Sequence, residues 1–166
     1  MPVVLARIDD RLIHGQVTVG WSEQLQPDRI LLANNAIAAD PWQKKVYSST
    51  VPPGIRVSIL PVAKAAACLA DPENSAERVL LLTGSPEEMA ELVRIGIPVN
   101  EVNVGGLHFS AGKREMLPFV YVDRQDLTAF ARLLEMGADL SAQQVPGGRE
   151  HVFDQAQIQQ MGEQFR

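Results

Sequence analysis

The segment Arg7-Ile8-Asp9-Asp10-Arg11-Leu12-Ile13-His14-Gly15-Gln16-Val17 crowds two arginines, two aspartates and a histidine into one short stretch. These residue types suit phosphoryl chemistry. A neutral imidazole, whose ordinary pKa is about 6.5, can attack phosphorus through a ring nitrogen. The product would carry about -1.5 to -2 charges, as other phosphorylated side chains do. Arg11 offers a planar donor fork that matches phosphate oxygens, and Gly15 lets a ligand come close to the backbone. If a helix starts here, its unpaired N–H groups and dipole form an anion site before any side chain is counted. An arginine so placed is worth about 10³–10⁵ in rate in other phosphoryl transfers. His14 is thus the candidate nucleophile and Arg11 its catalytic partner. Asp9 or Asp10 would hold Arg11 or fix the His14 tautomer by accepting its second N–H. Spacing alone leaves open a surface histidine and a plain Asp-Asp turn. No second histidine or cysteine sits nearby at ligand spacing, so no metal is expected.

The surrounding elements decide whether such a cluster can work. VVLARI (3–8) has the character of a buried strand, and 15–25 of a helix with Val17, Trp21 and Leu25 on one face. RILLANN (29–35), IRVSIL (55–60), ERVLLLT (77–83), EVNVG (101–105) and LPFVYVD (117–123) are further strands, and 139–146 is a short extended stretch. Helices are expected over 41–51, 61–70, 126–136 and 154–165. Another runs from a Ser85 cap with Pro86 at its first position and Glu88 closing a capping box, to a stop at Gly96. Strand and helix alternate, so an open, mainly parallel twisted sheet with helices on both faces follows, as one domain over 1–166. The charged segment then joins the first strand to the first helix, at the carboxyl ends of the strands where such folds bind ligands.

Other candidates are weaker. GGLHFSAGKR (105–114) has nearly the glycine-lysine spacing of a nucleotide phosphate loop, but is one residue too long and lacks the hydroxyl residue after Lys113. It reads either as a mobile loop near the site or as a plain glycine-rich connection. Thr83, ending a central strand, is positioned to add a hydroxyl to a phosphate cup, and Asn34-Asn35 to line the same crevice. His108 and His151 read as surface residues in loops.

The totals narrow the class. The 166 residues are 46% hydrophobic and 21% charged with a formal net charge of -5, an ordinary globular balance that disfavours a nucleic-acid partner. The one cysteine, Cys68, builds neither a disulfide framework nor a zinc site and reads as a buried small apolar residue of a helix. No N-terminal signal pattern is visible, and no apolar run nears the roughly 20 residues that span a bilayer. A cytoplasmic location is expected.

RIDDRLIHGQVTVGW closely resembles the active-site segment of the IIB components of the mannose/fructose/sorbose family of the bacterial phosphoenolpyruvate-dependent sugar phosphotransferase system. The likeness continues through LLANNAIAADPWQKKV, LLLTGSPEEMAELVRIGIP, VNVGGLHFSAGKREMLPFVYVD and LLEMGADLSAQQVP, and so covers nearly the whole chain. The resemblance implies phosphorylation of His14, through Nδ1, by a phosphohistidine of a IIA protein or domain. It implies transfer onward to a sugar imported through the membrane components IIC and IID. It matches the phosphate-cradling loop to Asp10, Arg11, Gly15 and Gln16, and implies no metal or organic cofactor beyond the phosphohistidine itself. One departure is that Asn34 and Asn35 stand where an acidic residue is expected. Two other readings remain: a regulatory phosphocarrier that moves no sugar, and a hydrolase of small phosphate esters. The sugar itself is not legible.

Overall fold

A computed structural model describes residues 1–166. Seven strands form one sheet: β1 (Val3–Asp9), β2 (Arg29–Ala33), β3 (Arg56–Leu60), β4 (Val79–Thr83), β5 (Glu101–Gly106), β8 (Asp139–Ala142) and β9 (His151–Phe153). Their order is β3-β2-β4-β1-β5-β8-β9. Every pairing is parallel except that of β9, which runs antiparallel to β8. The expected α/β architecture is therefore present. The chain crosses back over β1 between β4 and β5, so β1 lies at the point where the winding reverses.

The central strands are apolar on both sides because both sides are covered. On one face Ile8, Leu31, Leu81 and Val104 meet α4 (Val62–Ala70), α5 (Pro86–Ile95), α6 (Arg124–Glu135) and α7 (Gln155–Glu163). On the other, Ile30, Leu32, Leu80 and Leu82 meet Val17, Trp21 and Ile37 from the segments after β1 and β2. The second layer includes α2 (Asn35–Ala38) and α3 (Pro41–Ser49). It covers only the β3-β2-β4 side. Over β1 and β5 the same face carries Arg7, Asp9 and Asn103, all buried.

Local structure departs from expectation at several places. The first helix is a π-helical turn, Gln16–Trp21, continuing as α1 (Ser22–Leu25). The Ser22 hydroxyl donates to the Val17 carbonyl five residues back, at 2.8 Å, which supports the wider turn. The single strand expected at 117–123 is two strands, β6 (Arg114–Leu117) and β7 (Val120–Val122), paired antiparallel in a separate small sheet. Pro118 lies in the turn between them, where its missing N–H costs no ladder bond. His151 belongs to β9 rather than to a loop, and no sequence pattern marked that three-residue strand. Cys68 is half-buried on α4.

Helix ends are better anticipated. Ser85 caps α5, accepting from the Glu88 N–H at 3.3 Å, and Gly96 ends it with φ 113°. The capping box there does not close. Glu88 instead accepts from the Ser85 hydroxyl at 3.0 Å and the Asn34 amide at 3.5 Å, leaving Oε2 buried without a partner. Closed boxes occur at α6, between Asp123 and Asp126, and at α7, between Asp154 and Gln157.

Desolvation raises the Glu88 pKa against the hydrogen bonds that oppose it. Between the ordinary carboxyl pKa and this raised value, the folded state keeps a proton that the unfolded chain has lost. Rising pH through that window therefore weakens the fold. Glu88→Gln is expected to melt at a higher temperature than wild type at pH 7, with the gap closing below the ordinary carboxyl range. Thermal melts across pH 3–8 check this prediction.

Candidate functional site

The winding reversal brings the ends of β1, β4 and β5 together, and Asp9 is the last residue of β1. Asp9 has no exposed surface. Its Oδ1 accepts from Arg11 Nε at 3.0 Å and the Arg11 backbone N–H at 3.2 Å. Its Oδ2 accepts from Arg11 NH2 at 2.9 Å and Arg7 NH2 at 3.1 Å. One carboxylate thus joins two guanidinium groups, and the cluster keeps an excess positive charge. Arg11 shows part of its side chain to solvent, whereas Arg7 shows none.

Arg7 is the residue to which sequence reasoning assigned no role. Its NH1 donates to the Asn103 side chain and to the Gln143 carbonyl at 2.9 Å, and NH2 donates to the Gln144 carbonyl at 2.8 Å. The Trp21 ring lies 5.2 Å from its guanidinium carbon, within cation–π range. Burial pulls the Arg7 pKa down to about 10, with Asp9 opposing that shift, so the group stays charged at neutral pH. A signal for it was present: an arginine inside a parallel strand buried on both faces needs a partner.

The loop after Asp9 is shaped by Leu12, which has φ 63°. A non-glycine residue in the left-handed region costs of order 1–3 kcal/mol and persists only where the surroundings hold it. Here the side chain is buried, and a Cβ placed on Gly84 would come within 2.9 Å of Leu12 Cδ2. The turned backbone aims the Leu12 carbonyl at His14 Nδ1, 2.8 Å away. A carbonyl only accepts, so Nδ1 carries the proton in this arrangement. The tautomer is held by Leu12 rather than by an aspartate. His14 Nε2 lies 3.7 Å from Asp9 Oδ2 and 3.4 Å from the Gln16 side-chain oxygen. Val17 and Thr18 donate their N–H groups to the His14 carbonyl, while the amides of Ile13, His14, Gly15 and Gln16 have no protein acceptor. Successive unpaired N–H groups of this kind are what a backbone anion site is built from. Nothing lies within 4 Å of a Cβ built on Gly15.

Other candidates take different places. Thr83 is fully buried and its hydroxyl donates to the Ser85 carbonyl at 3.0 Å, so it secures the turn into α5 and does not face the crevice. Asp10 does not point into the cradle. Its two oxygens take the His108 backbone N–H at 2.6 Å and the His108 ring Nδ1 at 2.5 Å. His108 is exposed, but it clasps the glycine-rich loop to the His14 loop. Lys113 pins the other end of that loop through Asp126 at 2.9 Å. Asn34 caps α2 and Asn35 accepts from the Val62 N–H, so both brace the fold. Leu12 and Ile13, which flank the histidine, are core residues. No group of three or more His, Cys, Asp or Glu side chains is arranged to hold a metal ion.

Gly105 lies flat against Arg7. A Cβ there would sit 2.0 Å from the guanidinium carbon. Gly105→Ala is expected to lower stability by about 1–3 kcal/mol or more, the cost of overpacking a filled interior. A reduced urea midpoint checks this prediction.

Comparison with known proteins shows the family. The family described as "PTS system sorbose subfamily IIB component" matches residues 3–164. The sorbose-specific EIIB component of Lacticaseibacillus casei is 39% identical over 140 residues, 84% of this chain and 85% of that protein. The mannose-specific EIIAB component of Escherichia coli K12 is 38% identical over 145 residues, 87% of this chain but 45% of that longer protein. The crystal structure of the IIBSor domain of the Klebsiella pneumoniae sorbose permease superposes with a TM-score of 0.87 at 34% identity, covering 91% of this chain and 93% of that one.

Proposed function

This chain belongs to the sorbose-subfamily IIB components of the sugar phosphotransferase system, and from that premise we propose that His14 is its phosphoryl carrier. In this reading a IIA protein or domain presents a phosphohistidine to the cradle. A lone pair of the His14 ring attacks phosphorus, the donor N–P bond breaks, and the donor imidazole leaves with that electron pair. A sugar hydroxyl, delivered through membrane IIC and IID components, then attacks the same phosphorus and His14 leaves. The observation that carries this reading is the pairing of His14 with a positively charged, pre-arranged anion site. Arg11 is held by Asp9, and four amides of the same loop have no acceptor within the chain. Donors fixed before reaction stabilise the spread charge of the transition state without reorganisation.

Nδ1 donates to the Leu12 carbonyl in the orientation seen, so Nε2 holds the available lone pair. Attack through Nδ1, the nitrogen expected from the family resemblance, requires the ring to rotate off that carbonyl. The charge balance of the step is met by Arg11 and backbone N–H groups, with no metal or organic cofactor called for. Val19 and Phe109 are exposed apolar residues flanking the His14 loop and its clasped neighbour, and they supply contact area for a docking partner. No helix is long and apolar enough to cross a membrane. The reading places the chain on the cytoplasmic side and brings it to the membrane through its partners.

The test is phosphoryl transfer from radiolabelled phosphoenolpyruvate with the general phosphotransfer proteins and a IIA donor. Wild type is expected to take acid-labile, alkali-stable label that sugar and membranes holding IIC and IID then remove. His14→Ala is expected to take none, and Arg11→Ala to label on the order of 10²–10³-fold more slowly. Equal label on His14→Ala would remove this histidine from the role. Label that no sugar discharges would favour a regulatory phosphocarrier. The ¹⁵N and ³¹P spectra of the labelled protein identify the phosphorylated nitrogen.

A further inference from the structure

On the sheet face that carries Arg7, no helix covers the start of β1 and β5. A cleft of about 400 Å³ opens there, within the usual range of about 300–1,000 Å³ for small-molecule sites. Trp21, Leu5, Asn103, Ser141 and Gln143 form much of its wall, with the carboxylates of Glu101 and Glu150 also lining it. No lysine or arginine does so. The Trp21 indole N–H is buried without an acceptor, and so is the Nε–H of the fully buried Arg7 against which that ring packs. Unmet buried donors are uncommon, because each gives up its hydration with nothing in return.

We propose that this cleft is a second binding site, separate from the His14 cradle, for a small neutral polyhydroxy compound such as a monosaccharide. Amide and hydroxyl side chains can both donate to and accept from sugar hydroxyls, and carboxylates accept from them. The apolar faces of Trp21 and Leu5 suit the C–H face of a sugar ring. The absence of a lining cation disfavours a phosphate ester. The positively charged Arg7 behind the wall disfavours a cationic amine.

The site is wired to the cradle. Asn103, in the cleft wall, accepts from Arg7, and Arg7 donates to Asp9. Asp9 in turn holds Arg11 and lies 3.7 Å from His14 Nε2. A hydroxyl that competes for Asn103 loosens one anchor of the guanidinium whose other nitrogen donates to Asp9. Occupancy of the cleft therefore tunes the His14 site. Only this coupling rests on the phosphoryl-carrier reading; binding stands without it.

The experiment is a titration of the ¹⁵N-labelled full chain, with no phosphoryl donor present, following the two indole N–H signals by NMR. A Trp42→Phe variant assigns which signal is Trp21. Neutral hexoses and hexitols are compared with the matching hexose phosphate and amino sugar. The expected result is a saturable shift of the Trp21 signal in the millimolar range with a neutral ligand, with Trp42 unmoved. Ser141→Leu, which fills the cleft, is expected to abolish it while the dispersed core signals persist. Glu150→Ala, at an exposed position, is expected to weaken it severalfold without any risk to the core. No saturable Trp21 shift with any neutral ligand overturns the site. A response to the phosphate ester or amine in its place overturns the ligand class. A response unchanged in both variants places the ligand elsewhere and overturns the proposal.

Discussion

Everything at the working end of this molecule depends on one buried carboxylate shared by two arginines. Asp9 and Arg7 have no exposed surface, and Arg11 reaches Asp9 from the solvent side. Burying charges is costly, and attraction repays the cost only when every group is well partnered. The surrounding structure is built to that requirement. The Gln143 and Gln144 carbonyls turn inward to meet the Arg7 guanidinium, Asn103 supplies a side-chain oxygen, and Trp21 lies over the charge. Gly105 clears the space that a side chain would take. The cluster leaves its spare positive charge on Arg11, where an anion can use it.

A second constraint sits in the turn that follows. Leu12 accepts a left-handed backbone because its side chain is locked into the core beside Gly84. That conformation points its carbonyl at His14 and frees the next four amides. Strain at one residue is thus converted into orientation of His14, the proposed carrier, and of the unpaired amides around it. The π-helical turn extends the same logic. At its start Val17 and Thr18, three and four residues on, return their N–H groups to the His14 carbonyl, and at its end Trp21 lies over Arg7.

The two faces of the sheet divide the labour. One is closed by four helices over a continuous apolar core and supplies most of the burial. The other is apolar only over β2 and β4 and becomes polar over β1 and β5. A buried polar face is tolerable where each group finds a partner, and the unmet N–H groups of Trp21 and Arg7 mark where that condition is not fully satisfied within the chain. The charged cluster and the cleft therefore lie on the face with the smaller apolar core, while the helical face supplies most of the apolar burial.

By itself the sequence determined what is local. Hydrophobic runs and periods, the Ser85 cap, the Gly96 stop and the strand–helix alternation are properties of neighbouring residues, and they suffice to set a parallel sheet with the His14 loop at its carboxyl edge. The family likeness was legible for the same reason, since its motif is one contiguous segment. Tertiary structure alone decided what depends on distant partners. Arg7 became the foundation of the site through residues 96 to 137 positions away. Asp10 was drawn to His108, 98 positions away, and Thr83 was spent on its own turn once packing had buried it. The three-residue β9 exists only because β8 offers it an edge. The side chain that each charged group meets is set by which strands lie side by side, and no local pattern records that choice.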